Sequence, residues 1–160
     1  MIEIFPIGTI HTPFESLEGM PIQPSEASDV EGTVVLEPEY EQGLTDIEGF
    51  SHIMLLFWLH KSKGYDLMVK PFLDDQKRGL FSTRAPRRPN PVGLSIVRLL
   101  DRKGPVLTVK GIDILNNTPL IDIKPYVPKF DIKEVTRSGW LEKNQLKAAD
   151  TRSDDRFVQP

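Results

Sequence analysis

The stretch that decides the fold class is LSIVRLLDRKGPVLTVKGIDI, residues 94–114. Apolar and polar side chains alternate in Leu94–Leu100 and again in Val106–Ile114, which is the period of a β-strand with one buried face. The residues between them, Asp101 to Gly104, have the composition of a hairpin turn. The stretch therefore predicts two antiparallel strands.

Short β-rich segments on both sides extend this hairpin into a larger sheet. His52–Leu59 is almost wholly apolar, which favours a strand buried on both faces. The other strand candidates are Glu3–Thr9, Gly32–Leu36, Leu67–Phe72 and Leu120–Tyr126. Short strands at regular spacing with turns between them indicate a mainly β protein, either a barrel or a sandwich.

Few segments favour helix. Glu39–Ile47 is a candidate for a short helix, and Ser138–Ala149 is a better one. Ser138 is its expected N-cap, and Trp140, Leu141 and Leu146 share a face. The 160 residues suit one domain. We predict a barrel domain over residues 1–137 and a C-terminal helix with a polar tail over residues 138–160.

Composition excludes several classes of protein. The chain has no cysteine, which excludes disulfides, thiolate nucleophiles and cysteine-ligated zinc. Its three histidines, His11, His52 and His60, lack the spacing of a zinc site, so no metal is expected. The first ten residues lack a signal-peptide pattern, and Ile53–Leu59 is too short to cross a bilayer. We expect a cytoplasmic protein with no membrane contact.

Charge is distributed unevenly along the chain, although its net value is only −3. Residues 1–59 carry eleven acidic side chains and no Lys or Arg, whereas residues 60–110 carry twelve Lys and Arg against four Asp. The basic middle third is a candidate surface for an anionic partner. The alternative is that the acidic and basic thirds face each other in the fold.

The segment Thr83-Arg-Ala-Pro-Arg-Arg-Pro-Asn-Pro-Val-Gly93 holds three arginines and three prolines. Proline fixes φ and stiffens the loop, while guanidinium groups bind phosphates, carboxylates and stacked bases. The pattern favours an anion or nucleotide site over a decorated surface turn, because three neighbouring arginines repel one another. Glycine-rich phosphate loops, the dinucleotide fingerprint and a nucleophile elbow are all absent from the sequence.

A second candidate segment runs from Asn116 to Tyr126. Asn-Asn-Thr-Pro has turn composition, and in the strand after it Asp122, Lys124 and Tyr126 alternate onto one face. An ordinary solvated strand face would have the same pattern. Weaker candidates are His60-Lys61, at the end of an apolar strand, and Gln23, between two prolines.

These blocks resemble the signature segments of the TsaA-like family, also called the TrmO family. The resemblance rests on Thr83–Ser95, on Thr118–Tyr126 and on the opening Ile7–Phe14, and it runs in order from about Ile4 to Arg137. It implies a single compact β-barrel with one or two short helices. It further implies homodimers that bind S-adenosylmethionine and methylate N6 of threonylcarbamoyl-adenosine beside a tRNA anticodon.

The resemblance also assigns residues to the cofactor and to tRNA. By position, the cofactor contacts are Pro21, Ile22, Gln23, His60, Lys61, Arg84, Leu94, Asn116, Asn117, Thr118 and Pro119. Two departures stand out. Asn116-Asn117 replaces the family's usual Asp-Gly, so a carboxylate is lost although asparagine tolerates the left-handed turn. Ile22 replaces a residue that is often basic.

A mechanism follows as a hypothesis. Asp122 is the expected proton acceptor and Tyr126 a positioning or stacking residue, while Lys61, Lys63, Arg87, Arg88 and Lys124 contact tRNA phosphates. Two alternatives stay open, a protein that binds S-adenosylmethionine without catalysis and a methyltransferase that acts on a small molecule. The shortness of the chain after its core favours the first of these.

Overall fold

Six strands close a barrel in the computed structural model, which describes residues 1–16, 29–72 and 74–143. The strands in chain order are β1 Gly8–His11, β2 Glu31–Leu36, β3 His52–Trp58, β4 Met68–Val69, β5 Arg78–Gly79, β6 Val92–Lys103, β7 Val106–Lys110 and β8 Thr118–Pro125. Around the barrel the order is β1-β2-β7-β6-β3-β8, with every neighbouring pair antiparallel. Strands β4 and β5 form a separate two-stranded ribbon. The expected mainly β barrel is confirmed.

The core fills the barrel with side chains from alternate positions. Ile53, Leu55 and Phe57 of β3 point inward, as do Leu107 and Val109 of β7, and all are buried. Burying each such side chain stabilises the fold by roughly 1.5–3 kcal/mol. The hairpin of β6 and β7 predicted from residues 94–114 therefore supplies a continuous part of the inner wall.

Strand β3 was expected to be buried on both faces, and that expectation is wrong. Its residues alternate strictly, and Met54, Leu56 and Trp58 on the outer face are only half-buried. The barrel has one interior, so the outer face meets no second layer in the described chain. Strand β1 begins at Gly8, later than expected, and the apolar Ile4 before it is exposed.

The short helix expected after β2 is present as 3-10 helix rather than α-helix. The candidate Glu39–Ile47 becomes two 3-10 helices, Pro38–Leu44 and Ile47–Gly49, separated by Asp46 at a φ of 72°. The one α-helical turn in the described ranges is α1, Pro128–Asp131.

The candidate C-terminal helix is a 3-10 segment over Gly139–Lys143, and its remainder lies outside the described residues. The backbone N–H of Ser138, the expected N-cap, donates to the Glu142 carboxylate over 2.9 Å. The Trp140 indole N–H donates to the Ser82 carbonyl, and this contact ties the segment to the loop after β5. The division of the chain at residue 137 stays a prediction.

Candidate functional site

One end of the barrel gathers the segments that the sequence singled out. Trp58, at the end of β3, pairs with Val92 at the start of β6. Thr118, at the start of β8, pairs with Ile10 near the end of β1. The connecting segments 12–16, 59–63, 83–91 and 111–117 therefore leave the barrel at the same end, which we call the rim. The arginine loop and the Asn-Asn-Thr-Pro turn lie on one rim although residues 94–115 separate them in the sequence.

Hydrogen bonds to the backbone shape the Asn-Asn-Thr-Pro turn. Asn117 adopts a φ of 64°, the left-handed conformation that asparagine was expected to tolerate here. The Thr118 hydroxyl is buried and donates to the Leu115 carbonyl over 2.6 Å. The Thr12 hydroxyl donates to the Ile114 carbonyl, also over 2.6 Å. The turn is thus fixed from inside by two buried threonines.

One of the three arginines in the arginine loop, Arg88, stabilises the loop conformation through hydrogen bonds to its backbone. The Arg88 Nη1 group donates to the carbonyl oxygens of Thr83 and Ala85 over 3.0 and 3.1 Å, and its guanidinium lies 5.7 Å from the Phe81 ring centroid. Because these carbonyls take up the guanidinium, Arg88 is a structural member of the loop. Its predicted phosphate contact stays a prediction that this geometry does not favour.

Arg87 ties the loop to the segment after β3. Its Nε donates to the Lys63 carbonyl over 3.0 Å, and its Nη1 lies 3.7 Å from the Asp66 carboxylate. The Ser62 hydroxyl adds a bond to the Pro86 carbonyl. These contacts explain how three neighbouring arginines tolerate one another. Arg84, Lys61 and Lys63 present exposed positive charge at this rim.

His60 lies where β3 runs into the rim, and it is half-buried. Burial lowers the pKa of its imidazole below the usual 6.5, and the neighbouring Lys61 charge lowers the pKa further. A neutral imidazole can accept as well as donate a hydrogen bond. Leu94, two residues into β6, is 55% exposed on the outer wall and offers an apolar surface beside the rim.

Asp122, Lys124 and Tyr126 share the outer wall, as the alternation predicted. The Lys124 ammonium lies 2.9 Å from the Asp122 carboxylate. Asp122 is paired with Leu56, and Leu56 is paired on its other side with Leu94. Asp122 and Leu94 therefore stand two strands apart in one row, about 10 Å from each other.

Tyr126 lies farther from the rim. Its backbone N–H donates to the carbonyl of His52 at the start of β3, and the two rings meet edge to face at 6.4 Å. That position is roughly 20 Å along β3 from Trp58. One chain therefore does not bring Tyr126 to the cofactor segments.

Asp122 also lines a pocket of about 530 Å³ that lies away from the rim and reaches residues of the barrel core. The pocket lies between β8 and the 3-10 helix after β2, and Leu36, Tyr40 and Leu44 contribute to its wall. Asp122 thus belongs both to the row of residues that leads to Leu94 and to the lining of this pocket.

Other expectations fall partly outside the described ranges. Pro21, Ile22 and Gln23 belong to residues 17–28, which the structure does not describe. Within the described ranges no cluster of His, Asp and Glu could hold a metal ion. No helix there is long and apolar enough to span a membrane.

Sequence reasoning missed Glu15, whose carboxylate accepts from the Asn116 side-chain amide over 3.0 Å. Nothing in its local sequence marks it.

The molecule so described is a closed β-barrel protein with its candidate binding groups collected on one rim. The chain belongs to the family of tRNA-methyltransferase O N-terminal domains, whose model matches residues 9–132. The expected family and fold are thereby confirmed.

Relatives and solved structures agree with this family. A probable S-adenosyl-L-methionine-binding protein of Pyrococcus abyssi is 54% identical over 98% of this chain and 85% of its own length. The rat tRNA (adenine(37)-N6)-methyltransferase is 36% identical over 79% of this chain. The TrmO crystal structure from Pseudomonas aeruginosa matches with a TM-score of 0.74 and 36% identity over 88% of this chain. The chain spans 62% of that structure and 31% of the rat enzyme.

Proposed function

We propose that this protein binds S-adenosylmethionine at the rim and transfers its methyl group to N6 of an adenine in a tRNA anticodon loop. The observation that carries the proposal is the convergence of the arginine loop, the His60 segment and the Asn-Asn-Thr-Pro turn on one rim. Relatives named as binding proteins for this cofactor and as tRNA adenine N6-methyltransferases support it. A tRNA substrate fits the cytoplasmic location expected from the sequence.

The side chains at the rim fit this cofactor. Exposed cations at Arg84 and Lys61 suit its carboxylate, and the apolar surface of Leu94 and Pro119 suits its adenosine. The neutral His60 imidazole adds a polar contact that does not repel a cation. When bound, the cofactor supplies an electrophilic methyl group on a sulfonium.

The chain's own groups would then hold the acceptor amine and take its proton. The Asp122 carboxylate accepts a hydrogen bond from the adenine N–H, which helps to localise a lone pair that the ring otherwise delocalises. The Lys124 ammonium forms an ion pair with this carboxylate. The row Leu94–Leu56–Asp122 supports this role, since Asp122 lies about 10 Å from Leu94, which is beside the rim.

A homodimer fits the outer wall. Met54, Leu56 and Trp58 on β3 and Leu94 on β6 form an apolar strip that the described chain covers only in part. Pairing two such strips would bury apolar area and bring Tyr126 of one subunit closer to the rim of the other. Sedimentation analysis should then give twice the chain mass, and Met54→Glu should give the monomer.

The finer substrate proposal is threonylcarbamoyl-adenosine in the anticodon loop. An unpaired loop base can be splayed out without breaking a duplex. Lys63 is exposed at the rim and suits a phosphate, and Lys124 and Arg87 form ion pairs within the chain. Binding of tRNA should therefore weaken steeply with salt.

The test is methyl transfer from radiolabelled S-adenosylmethionine to total tRNA with and without threonylcarbamoylation. We expect label only in the modified tRNA, and Asp122→Asn should cut transfer by about 100-fold with unchanged cofactor affinity. Asp101→Asn, on the β6–β7 hairpin, is the matched control. Full transfer by Asp122→Asn at unchanged affinity would remove its assigned role.

A second candidate is a protein that binds the cofactor and transfers nothing. The archaeal relatives named only as binding proteins favour it. Cofactor binding without label in any tRNA fraction would support this candidate. Label confined to small molecules would instead indicate another substrate class.

A further inference from the structure

The side chains of Asn116 and Glu15 form a pair at the rim. The Asn116 Nδ2 group donates to Glu15 Oε1 over 3.0 Å, and Asn116 Oδ1 accepts from the Thr12 N–H over 3.0 Å. One N–H and the oxygen of this amide therefore have partners within the chain. Asn116 thereby links Glu15 to Thr12, and its predicted direct cofactor contact stays a prediction.

The same region is fixed by backbone bonds. The Asn116 N–H donates to the Phe14 carbonyl over 2.7 Å, and the Thr12 hydroxyl reaches the Ile114 carbonyl. The side chain of Glu15 is exposed, and the hydrogen bond from Asn116 orients its carboxylate. A carboxylate on a long side chain normally samples many rotamers, and this bond favours one of them.

The charged side chains at the rim suggest what the Glu15 carboxylate binds. Of the nearby acidic groups, Asp66 lies against Arg87, and Asp113 accepts from the buried Ser95 hydroxyl. Lys61 and Arg84, which are exposed at the rim, are positive. A ligand that carries both a carboxylate and a positive centre needs one negative group among these cations.

We propose that the Glu15 carboxylate, held in place by Asn116, binds a positively charged group of the ligand at the rim. The assignment rests on the proposed function, in which that group is the sulfonium or the ammonium of S-adenosylmethionine. Glu15 is thus a binding residue, and Asn116 is the residue that positions it.

Calorimetry with S-adenosylmethionine and with S-adenosylhomocysteine tests this assignment on the full chain. Glu15→Gln removes the charge but retains the oxygen that accepts from Asn116, and the residue is exposed, so folding is preserved. We expect about a fivefold loss of affinity at low salt that shrinks at 0.5 M NaCl, on the order of what an exposed ion pair contributes. Loss for the sulfonium ligand alone identifies the sulfonium, and equal loss for both ligands identifies the ammonium.

Two further variants complete the experiment. Glu31→Gln removes a carboxylate from the same end of the barrel, at the start of β2, and should leave affinity within about twofold. In an Asn116→Ala background, Glu15→Gln should cost less than about twofold, because Glu15 is no longer held.

Unchanged affinity in Glu15→Gln, or an equal loss in Glu31→Gln, would overturn the assignment of Glu15 alone. A full fivefold cost in the Asn116→Ala background would overturn the role of Asn116. Failure of the wild-type chain to bind either ligand would instead refute the proposed function.

Discussion

The barrel interior and the rim are held together by different forces. Inside the barrel, Ile53, Leu55 and Leu107 contact one another through apolar surface, and a local alternation of residues specifies their inward direction. At the rim, Thr12 and Asn116 are joined by directional hydrogen bonds across 104 positions of sequence. Apolar packing tolerates small shifts in atomic position, whereas hydrogen bonds do not. We therefore expect interior substitutions to change stability, and rim substitutions to change ligand geometry as well.

The largest expected effect is a difference in stability between substitutions on the inner and the outer face of β3. Leu55→Ala should lower the free energy of unfolding by about 2–5 kcal/mol, because it leaves a cavity in the closed core. Leu56→Ala, one residue on and facing outward, should cost less than about 1 kcal/mol. Urea unfolding of both variants measures this. Equal costs at the two positions would mean that Leu56 is buried as well, either by a second layer or by a partner subunit.

An intermediate effect is expected where the rim meets the core. Thr118→Val should cost about 1–3 kcal/mol, since it leaves the buried Leu115 carbonyl without its hydroxyl donor. Thr108→Val, on the half-buried face of β7, should stay within about 0.5 kcal/mol. Thermal unfolding compares the two. A Thr118→Val protein as stable as Thr108→Val would mean that the turn does not depend on this bond.

The smallest expected effect is a shift in the titration of His60. Its imidazole should titrate below 6.5, chiefly through burial and secondly through Lys61, and Lys61→Met should raise the pKa toward the usual value. Because the folded form binds its proton less readily than the unfolded form, this site contributes stability above pH 6.5 that is lost as the pH falls. NMR titration of the ring nitrogens measures both pKa values, and no change in Lys61→Met would remove the lysine as a cause.

Much of the fold could be predicted from the sequence because strand alternation is a local property. Residues 94–114 gave the β6–β7 hairpin, although its strand extends to Lys103, beyond the expected turn. The same reasoning failed for β3, where Met54, Leu56 and Trp58 are apolar but face outward. Composition alone does not distinguish an apolar outer wall from a second buried face.

The site could be predicted only in part. The residues of the arginine loop and of the Asn-Asn-Thr-Pro turn carry unusual local composition, so they stood out. The pairing of Asn116 with Glu15 spans 101 positions and depends on how β1 meets β8, which no local pattern encodes. The same holds for Arg88, whose carbonyl partners exist only after the loop has folded.

The join between β1 and β8 is the shortest in the barrel wall. It comprises three residue pairs, one of which includes Pro119, whereas β3 and β6 share seven. Proline has no backbone N–H to donate to a neighbouring strand, so the pairing of β1 with β8, here called the seam, is short and also has few hydrogen bonds. Both strands run from the seam directly into the rim, at His11 and at Asn117. A ligand that contacts both β1 and β8 stabilises the pairing between them, so ligand binding and closure of the barrel wall are thermodynamically coupled.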